Sequence, residues 1–195
     1  MGTSGVVRNN EIERFLNRDD KLASIELLAL DVDGVMTDGS IIIGQEGELS
    51  KHFDAHDGMG LSLAMRHGIQ VALVTGRHSE IVLHRAMELG ISNVYENVAY
   101  KGKMLEEIAQ QLHIPMGHVA FMGDDLNDLP AFMKAAISFA PSDAVPEVRE
   151  RAYYVTEHEG GHGAVREVCE KILKAKGVWN EIVKGYLEHG VGDKQ

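Results

Sequence analysis

The sequence predicts an α/β protein with a doubly wound parallel sheet and a β-hairpin inserted after the first strand. Two observations support this fold class. Short continuous apolar runs alternate with helical segments through most of the chain, which is the pattern of consecutive βαβ units. One segment just after the first run interrupts this order, because it consists of two short stretches joined by a glycine-bearing turn, as in a hairpin.

The apolar runs define the strands, and the segments between them define the helices. The predicted strands are 27–32, 71–75, 93–95, 119–123, 137–139 and 153–155. The predicted helices are 61–67, 79–89, 101–112 and 129–135. Gly90 is placed to cap the second helix, and Pro115 is placed to stop the third. Because these strands alternate with helices, right-handed crossovers and one parallel sheet are predicted.

The inserted hairpin is predicted from residues 40–43 and 48–53, joined by a turn at 44–47 that carries two glycines. It is too short to be a domain. We therefore expect one domain at 25–176, preceded by an N-terminal tail and helix at 1–24 and followed by a C-terminal tail at 177–195.

Charge and composition exclude several classes of function. The 195 residues include 19 Lys+Arg and 30 Asp+Glu, a net charge of −11 that disfavours nucleic acid and anionic membranes as partners. No apolar run approaches the ~20 residues of a membrane-spanning helix, and no signal-peptide pattern is seen. The single cysteine, Cys169, excludes a disulfide framework and fits a reducing compartment, so a cytoplasmic protein is expected.

Two acidic clusters follow predicted strands. Asp31 and Asp33 end the first strand, and Asp124, Asp125 and Asp128 follow the strand at 119–123. Taken alone, the first cluster fits an Asp-Gly turn and the second a helix N-cap. Taken together, they place carboxylates at one edge of the sheet, where open α/β sheets bind ligands. Carboxylates are the ligands that Mg²⁺ prefers, so a magnesium site is predicted there.

Two further segments have residues suited to phosphate. Thr75, Gly76 and Arg77 follow a strand, where a hydroxyl and backbone N–H groups can bind phosphate oxygens. Lys101 begins a helix and can offset phosphate charge, although Lys103 competes with it for this role. Each segment alone is a weak indication.

Taken in their order along the chain, the four motifs resemble those of the haloacid dehalogenase superfamily of aspartyl phosphatases. The resemblance implies that Asp31 is the nucleophile and Asp33 the general acid/base, with Thr75 and Lys101 holding the phosphoryl group. It also implies that Asp31, the backbone carbonyl of Asp33, and Asp124 bind Mg²⁺, supported by Asp125 or Asp128.

The intervals between these motifs leave room only for the hairpin and a few elements, so no cap domain is expected. Further segments resemble the capless family of 3-deoxy-D-manno-octulosonate 8-phosphate phosphatases, which contributes to lipopolysaccharide synthesis. These segments are 31–39, 53–60, 75–77, 123–125 and 160–167. The resemblance implies a homotetramer whose hairpins form a central barrel, with the tail at 177–195 closing a neighbouring site.

The implied substrate is a small phosphorylated sugar acid, bound by Asp33, Thr75, Gly76, Arg77, Lys101, His56, Gly58 and His162. Basic residues, often Arg, commonly stand in that family where this chain has His56 and His162. Histidine is charged for only part of the time near neutral pH, which leaves a nine-carbon keto acid sugar 9-phosphate as an alternative substrate.

Two non-enzymatic hypotheses remain beside the phosphatase. A receiver-like signalling module also combines an acidic cluster, a threonine and a lysine on a parallel sheet, but it lacks the equivalent of Asp33. A catalytically inactive scaffold is the other, and the presence of every motif residue argues against it.

Overall fold

A six-stranded parallel sheet forms the centre of the molecule in the computed structural model, which describes residues 19–45 and 47–189. The strand order is β5-β4-β1-β6-β7-β8, and a separate two-stranded sheet pairs β2 with β3. The strands are β1 (Leu27–Leu30), β2 (Ile42–Gly44), β3 (Gly47–Ser50), β4 (Gln70–Val74), β5 (Asn93–Tyr95), β6 (Val119–Met122), β7 (Ile137–Ala140) and β8 (Tyr154–Val155). The predicted fold class is confirmed.

Helices cover both faces of this sheet. They are α1 (Ala55–Arg66), α2 (Glu80–Leu89), α3 (Lys101–Gln111), α4 (Leu129–Phe132), α5 (Pro146–Arg149), α6 (Ala164–Ala175) and α7 (Trp179–His189). Alternate residues of β1 point to opposite faces: Leu28 and Leu30 join the apolar cluster under α1 and α6, whereas Leu27 and Ala29 join the cluster under α3. Burial on both faces explains why this strand is a continuous apolar run.

The first helix begins earlier than the sequence pattern predicts. Asp54 is its N-cap, and its carboxylate accepts hydrogen bonds from the backbone N–H groups of His56 (2.6 Å) and Asp57 (3.2 Å). Residues 55–60 are therefore helical, ahead of the predicted start at residue 61. Few of these residues are strongly apolar, so hydrophobic periodicity alone placed the start at 61. The helix predicted at 129–135 is shorter, since α4 ends at Phe132.

The inserted hairpin has shorter strands than predicted. β2 and β3 pair from Ile42 with Ser50 to Gly44 with Gly47, and an antiparallel bridge between Thr37 and Phe53 closes the base of the insertion. Between β1 and α1 the described residues hold this hairpin and connecting segments.

The chain continues beyond α6 into α7, which packs on its own domain. Ile182 is buried, and the rings of Trp179 and Tyr186 contact the same apolar cluster as α1 and α6. Residues 19–23 are helical, while residues 1–18 and 190–195 of the two predicted tails lie outside the described part of the chain. Among the described helices, none is long and apolar enough to cross a membrane.

Candidate active site

The predicted functional residues emerge from neighbouring strands at one edge of the sheet. Asp31 directly follows the central strand β1, Thr75 directly follows β4, and Asp124 lies just beyond β6. Since β4 and β6 are the two neighbours of β1, their carboxyl ends bring these three segments together. The backbone N–H of Asp31 donates to the carbonyl oxygen of Met122 (2.9 Å), which ties the first acidic segment to the second.

A buried ammonium group joins two of the carboxylates. The Nζ atom of Lys101 lies 2.9 Å from Oδ1 of Asp31 and 2.6 Å from Oδ1 of Asp128. All three residues are buried, and Lys101 is 1% exposed. Although burial opposes it, attraction to Asp31 and Asp128 raises the pKa of Lys101. Lys103, the competing candidate, is an exposed side chain that pairs with Glu107.

Carboxylate oxygens of Asp31, Asp124 and Asp128 lie within 4.8 Å of one another, which is the spacing of a cation site. The Oδ1 atom of Asp124 is buried without a hydrogen-bond partner. A buried carboxylate oxygen of this kind is costly unless a ligand satisfies it. The donor set is entirely oxygen, and these residues fit Mg²⁺.

Burial and repulsion between the carboxylates of this cluster raise the pKa values of two of its members. Burial, and then the charge of Asp128, raises the pKa of Asp31 to about 6, although Lys101 counteracts them. Burial, and then the charges of Asp31 and Asp128, raises the pKa of Asp124 to about 8. The cluster holds more negative charge than one lysine can balance, which is a condition that favours binding of a cation.

The segment after β6 is organised by Asp128. Its Oδ2 atom accepts hydrogen bonds from the backbone N–H groups of Asp124 (2.9 Å) and Asp125 (3.2 Å). Asp125 instead turns its carboxylate to the N–H of Leu126 (2.7 Å) and caps a short 3₁₀ helix. Of the two candidates for a supporting role, Asp128 is the one that lies beside Asp31 and Asp124.

The loop after Asp31 requires glycine where the sequence has it. Gly34 has a φ of 84°, and a Cβ atom there would lie 2.1 Å from Oδ2 of Asp124. A Cβ atom on Gly160 would lie 1.9 Å from the carbonyl oxygen of Gly34. The glycine-rich segment at 160–163 therefore packs directly on the loop that carries Asp31 and Asp33.

Asp33 and Thr75 occupy different surroundings in the site. The carboxylate of Asp33 lies outside the three-carboxylate cluster and pairs with the ammonium group of Lys51 from the hairpin. Thr75 is buried, and its Oγ1 accepts a hydrogen bond from the N–H of Arg77 (3.2 Å). Gly76 and the side chain of Arg77 are exposed at the same strand end.

The other predicted substrate residues divide into exposed and packed positions. His56 and His162 are exposed, the first near the start of α1 and the second in the loop before α6. Gly58 is buried within α1, where a Cβ atom would lie 2.5 Å from Nη2 of Arg85. The structure gives Gly58 a packing contact between α1 and α2.

Sequence reasoning missed two buried side chains beside the site, Lys51 and Asp57. Asp57, in α1, accepts hydrogen bonds from the N–H groups of Gly163 (3.3 Å) and Arg166 (2.7 Å), so it fixes the 160–163 loop and the start of α6. Burial raises the pKa of Asp57 to about 6, even though the hydrogen bond from Arg166 opposes this shift. Its partners lie about a hundred residues along the chain, and no local pattern indicates them.

Comparisons with known proteins agree with this geometry. Residues 88–168 match a family model for haloacid dehalogenase-like hydrolases. The 3-deoxy-D-manno-octulosonate 8-phosphate phosphatase of Escherichia coli (strain K12) is 43% identical over 161 residues, which are 83% of this chain and 86% of the relative.

Solved structures give the same result. A 3-deoxy-D-manno-octulosonate 8-phosphate phosphatase from Moraxella catarrhalis, in complex with magnesium ion, phosphate ion and KDO, has a TM-score of 0.84 at 39% identity, covering 86% of this chain and 97% of that chain. The cobalt-bound Haemophilus influenzae deoxy-D-mannose-octulosonate 8-phosphate phosphatase has a TM-score of 0.82 at 36% identity, covering 86% and 99%. The magnesium ion in the first, together with the acidic cluster, supports Mg²⁺ as cofactor. On this sequence and structural similarity, the chain belongs to the 3-deoxy-D-manno-octulosonate 8-phosphate phosphatase family of haloacid dehalogenase-like hydrolases.

Proposed function

We propose that this protein is a Mg²⁺-dependent phosphomonoesterase that converts 3-deoxy-D-manno-octulosonate 8-phosphate into the free sugar acid and phosphate, for lipopolysaccharide synthesis. The observation that carries the proposal is the buried cluster in which Lys101 contacts Asp31 while Asp124 presents an unsatisfied carboxylate oxygen beside it. In this proposal, the arrangement brings together the Asp31 nucleophile, the ammonium group of Lys101 and the metal site at one edge of the sheet.

The reaction begins when a carboxylate oxygen of Asp31 attacks phosphorus. The bond from phosphorus to the sugar oxygen breaks, and Asp33 donates a proton to that oxygen as it leaves. In the second half, Asp33 takes a proton from water, the water oxygen attacks phosphorus, and the bond to Asp31 breaks. Two displacements replace one difficult hydrolysis, and Asp31 is restored.

The surrounding residues hold the phosphoryl group during both displacements. Lys101 lies beside Asp31, where its charge would offset that of the phosphoryl oxygens, and the hydroxyl of Thr75, at the neighbouring strand end, would donate a hydrogen bond to them. Asp31, Asp124 and the backbone carbonyl of Asp33 are the groups that would hold Mg²⁺. When bound, the ion supplies positive charge between an anionic nucleophile and an anionic substrate.

The working assembly in this proposal is a cytoplasmic homotetramer joined through the hairpins. Three apolar side chains of the hairpin region are strongly exposed in the single chain: Ile41 (46%), Ile43 (70%) and Leu49 (68%). An isolated two-stranded hairpin is marginal in water, and exposed apolar groups of this kind are typical of interfaces. The single buried Cys169 fits a reducing compartment.

Substrate choice is tested by measuring phosphate release from 3-deoxy-D-manno-octulosonate 8-phosphate and from a nine-carbon keto acid sugar 9-phosphate, each with Mg²⁺. We expect kcat/KM to be at least about tenfold higher for the eight-carbon substrate, a difference of about 1.4 kcal/mol. A preference for the nine-carbon substrate would contradict the assignment. His56 and His162 make this comparison necessary, because arginine pairs with a carboxylate through a fixed fork of N–H donors that histidine lacks.

A further inference from the structure

Lys51 connects the hairpin to the active-site loop. It directly follows β3, and its ammonium group pairs with Oδ1 of Asp33 and lies 2.8 Å from Oε1 of Glu48. The Lys51 side chain is 1% exposed, whereas a lysine without a function at the end of a hairpin normally extends into water. The ammonium group of Lys51 therefore lies between two carboxylates, those of Asp33 and Glu48, and away from solvent.

The other partner of Lys51 is itself fixed. Glu48 accepts a hydrogen bond from the hydroxyl of Ser79, and that hydroxyl oxygen accepts a bond from the N–H of Val82 as the N-cap of α2. The N–H of Ser79 donates to Glu96 (2.9 Å). Glu48, which is fixed by Ser79, therefore holds the ammonium group of Lys51 in place. For this reason the contact between Lys51 and Asp33 differs from an ion pair between two mobile surface groups.

We propose that Lys51 is a positioning residue of the phosphatase reaction, holding Asp33 by Oδ1 so that Oδ2 is the oxygen that carries and transfers the proton. This inference rests on the function proposed above. An ammonium group only donates hydrogen bonds, so the oxygen that it contacts acts as an acceptor and the second oxygen remains for the proton. The contact at one oxygen also restricts the rotation of the carboxyl group.

The pairing suits both halves of the reaction. When Asp33 gives its proton to the leaving sugar oxygen, it becomes a carboxylate, and Lys51 is already in place to balance the new negative charge. In the second half Asp33 takes a proton from the attacking water and returns to its starting state. Lys51 exchanges no proton in either half and acts only through Asp33.

A purely structural role for Lys51 is the competing interpretation, since the residue also ties the hairpin to the domain. That role predicts a loss of stability or assembly with little change in the chemistry of the molecules that remain folded. The positioning role predicts a fall in kcat with KM nearly unchanged, because binding of the substrate does not depend on the proton of Asp33.

The test compares Lys51→Met, Lys51→Arg and the control Lys134→Met, a surface lysine just after α4 that pairs with Glu106. With 3-deoxy-D-manno-octulosonate 8-phosphate, we expect Lys51→Met to lower kcat about ten- to a hundredfold with KM within about twofold of wild type. Lys51→Arg should restore a large part of kcat. Lys134→Met should match wild type.

Two further measurements distinguish a positioning role of Lys51 from a purely structural role. The aryl leaving group of p-nitrophenyl phosphate needs little protonation, so the pre-steady-state release of nitrophenol should fall less than about threefold in Lys51→Met. In a double-mutant cycle, Lys51→Met should cost almost nothing further in an Asp33→Asn background. Equal losses for the sugar and aryl substrates, or additive losses in the cycle, would overturn the inference.

Folding and the proposed function are controlled separately. If Lys51→Met fails to fold by circular dichroism, Glu48→Gln removes one charge from the same network, and unchanged kcat in that variant overturns the inference. A wild-type protein without activity on any sugar phosphate contradicts the proposed function itself. An active wild type with an equally active Lys51→Met contradicts only the role of Lys51.

Discussion

At the level of single residues, the negative charges of the site outnumber its positive charges. Three carboxylates, those of Asp31, Asp124 and Asp128, share one buried ammonium, that of Lys101. When all are ionised, two negative charges remain uncompensated, which is the charge that one divalent cation supplies. The raised pKa values of Asp31 and Asp124 show the alternative, in which protons take the place of the metal ion.

Among the residues of this site, we expect the substitution of Lys101 to lower the free energy of unfolding most. Lys101→Ala leaves Asp31 and Asp128 buried without their cation, and breaking such a pair costs about 3–5 kcal/mol. We expect the free energy of unfolding, measured in urea without metal, to fall by about 3 kcal/mol. The matched variant Lys103→Ala alters an exposed residue two positions away and should change it by less than about 0.5 kcal/mol. Similar losses for both variants would contradict the charge-balance argument.

The residues that sequence reasoning found share a property. Asp31, Thr75 and Asp124 each follow a buried strand, so the apolar pattern that reveals the strand also locates the residue at its end. Lys51 and Asp57 have no such signal, because each acts on a partner that only the tertiary fold brings close. Pairings of this kind depend on how the hairpin and α1 are placed on the sheet, which local sequence does not specify.

At the level of elements, strands were easier to predict than helix ends. The strand β1 is buried on both faces and is therefore a continuous apolar run. The start of α1 is set instead by the side chain of Asp54, an N-cap that lies before the apolar stripe begins. The hairpin was predicted from two short stretches and the glycine-bearing turn between them, whereas its proposed role in assembly depends on apolar side chains that a single chain leaves exposed.

The hairpin gives a prediction about assembly. Ile43→Lys with Leu49→Lys places charges on side chains that are 70% and 68% exposed in the single chain, so the fold of each subunit should survive. If the hairpins join the subunits, sedimentation should show smaller species, because buried unpaired charges disrupt an apolar interface. Met133→Lys, at a position that is 79% exposed outside the hairpin, is the control and should leave the assembly intact. An unchanged assembly in the hairpin variant would rule out the proposed contact.

At the level of the whole molecule, the fold and the site are linked through the sheet. Its central strand β1 and the two neighbours β4 and β6 bring Asp31, Thr75 and Asp124 to one edge, where the proposed function needs a nucleophile, a phosphate-binding hydroxyl and a metal-binding carboxylate. The parallel order that brings these ends together follows from the crossovers, so the general position of the site was predictable. In the metal-free protein, repulsion between those carboxylates lowers the free energy of unfolding.

Because this repulsion depends on the ionisation of the carboxylates, the effect of Mg²⁺ on stability should depend on pH. An aspartate in the unfolded chain titrates near 4, whereas the pKa of Asp124 in the folded protein is about 8. The stabilising proton is therefore fully bound below about pH 4 and is lost as the pH rises through about 8. Because Mg²⁺ binds the ionised carboxylate, its effect on Tm should be larger at about pH 8.5 than at about pH 6.

Thermal unfolding followed by circular dichroism, with and without Mg²⁺ at each pH, measures this difference. Asp124→Asn serves as the control and should lose most of the Mg²⁺ effect at both pH values. An equal rise in Tm at the two pH values for the wild type would show that Asp124 does not bind the ion as a carboxylate.

The most direct test of the central claim is a search for the phosphoryl group on Asp31. The protein is incubated with 3-deoxy-D-manno-octulosonate 8-phosphate and Mg²⁺, quenched in acid, and mapped by mass spectrometry while phosphate release is followed in parallel. We predict a transient phosphoryl group on Asp31 together with continuing release, and neither signal in Asp31→Asn. Release that persists in Asp31→Asn, or a long-lived phosphoaspartate without turnover, would contradict the account.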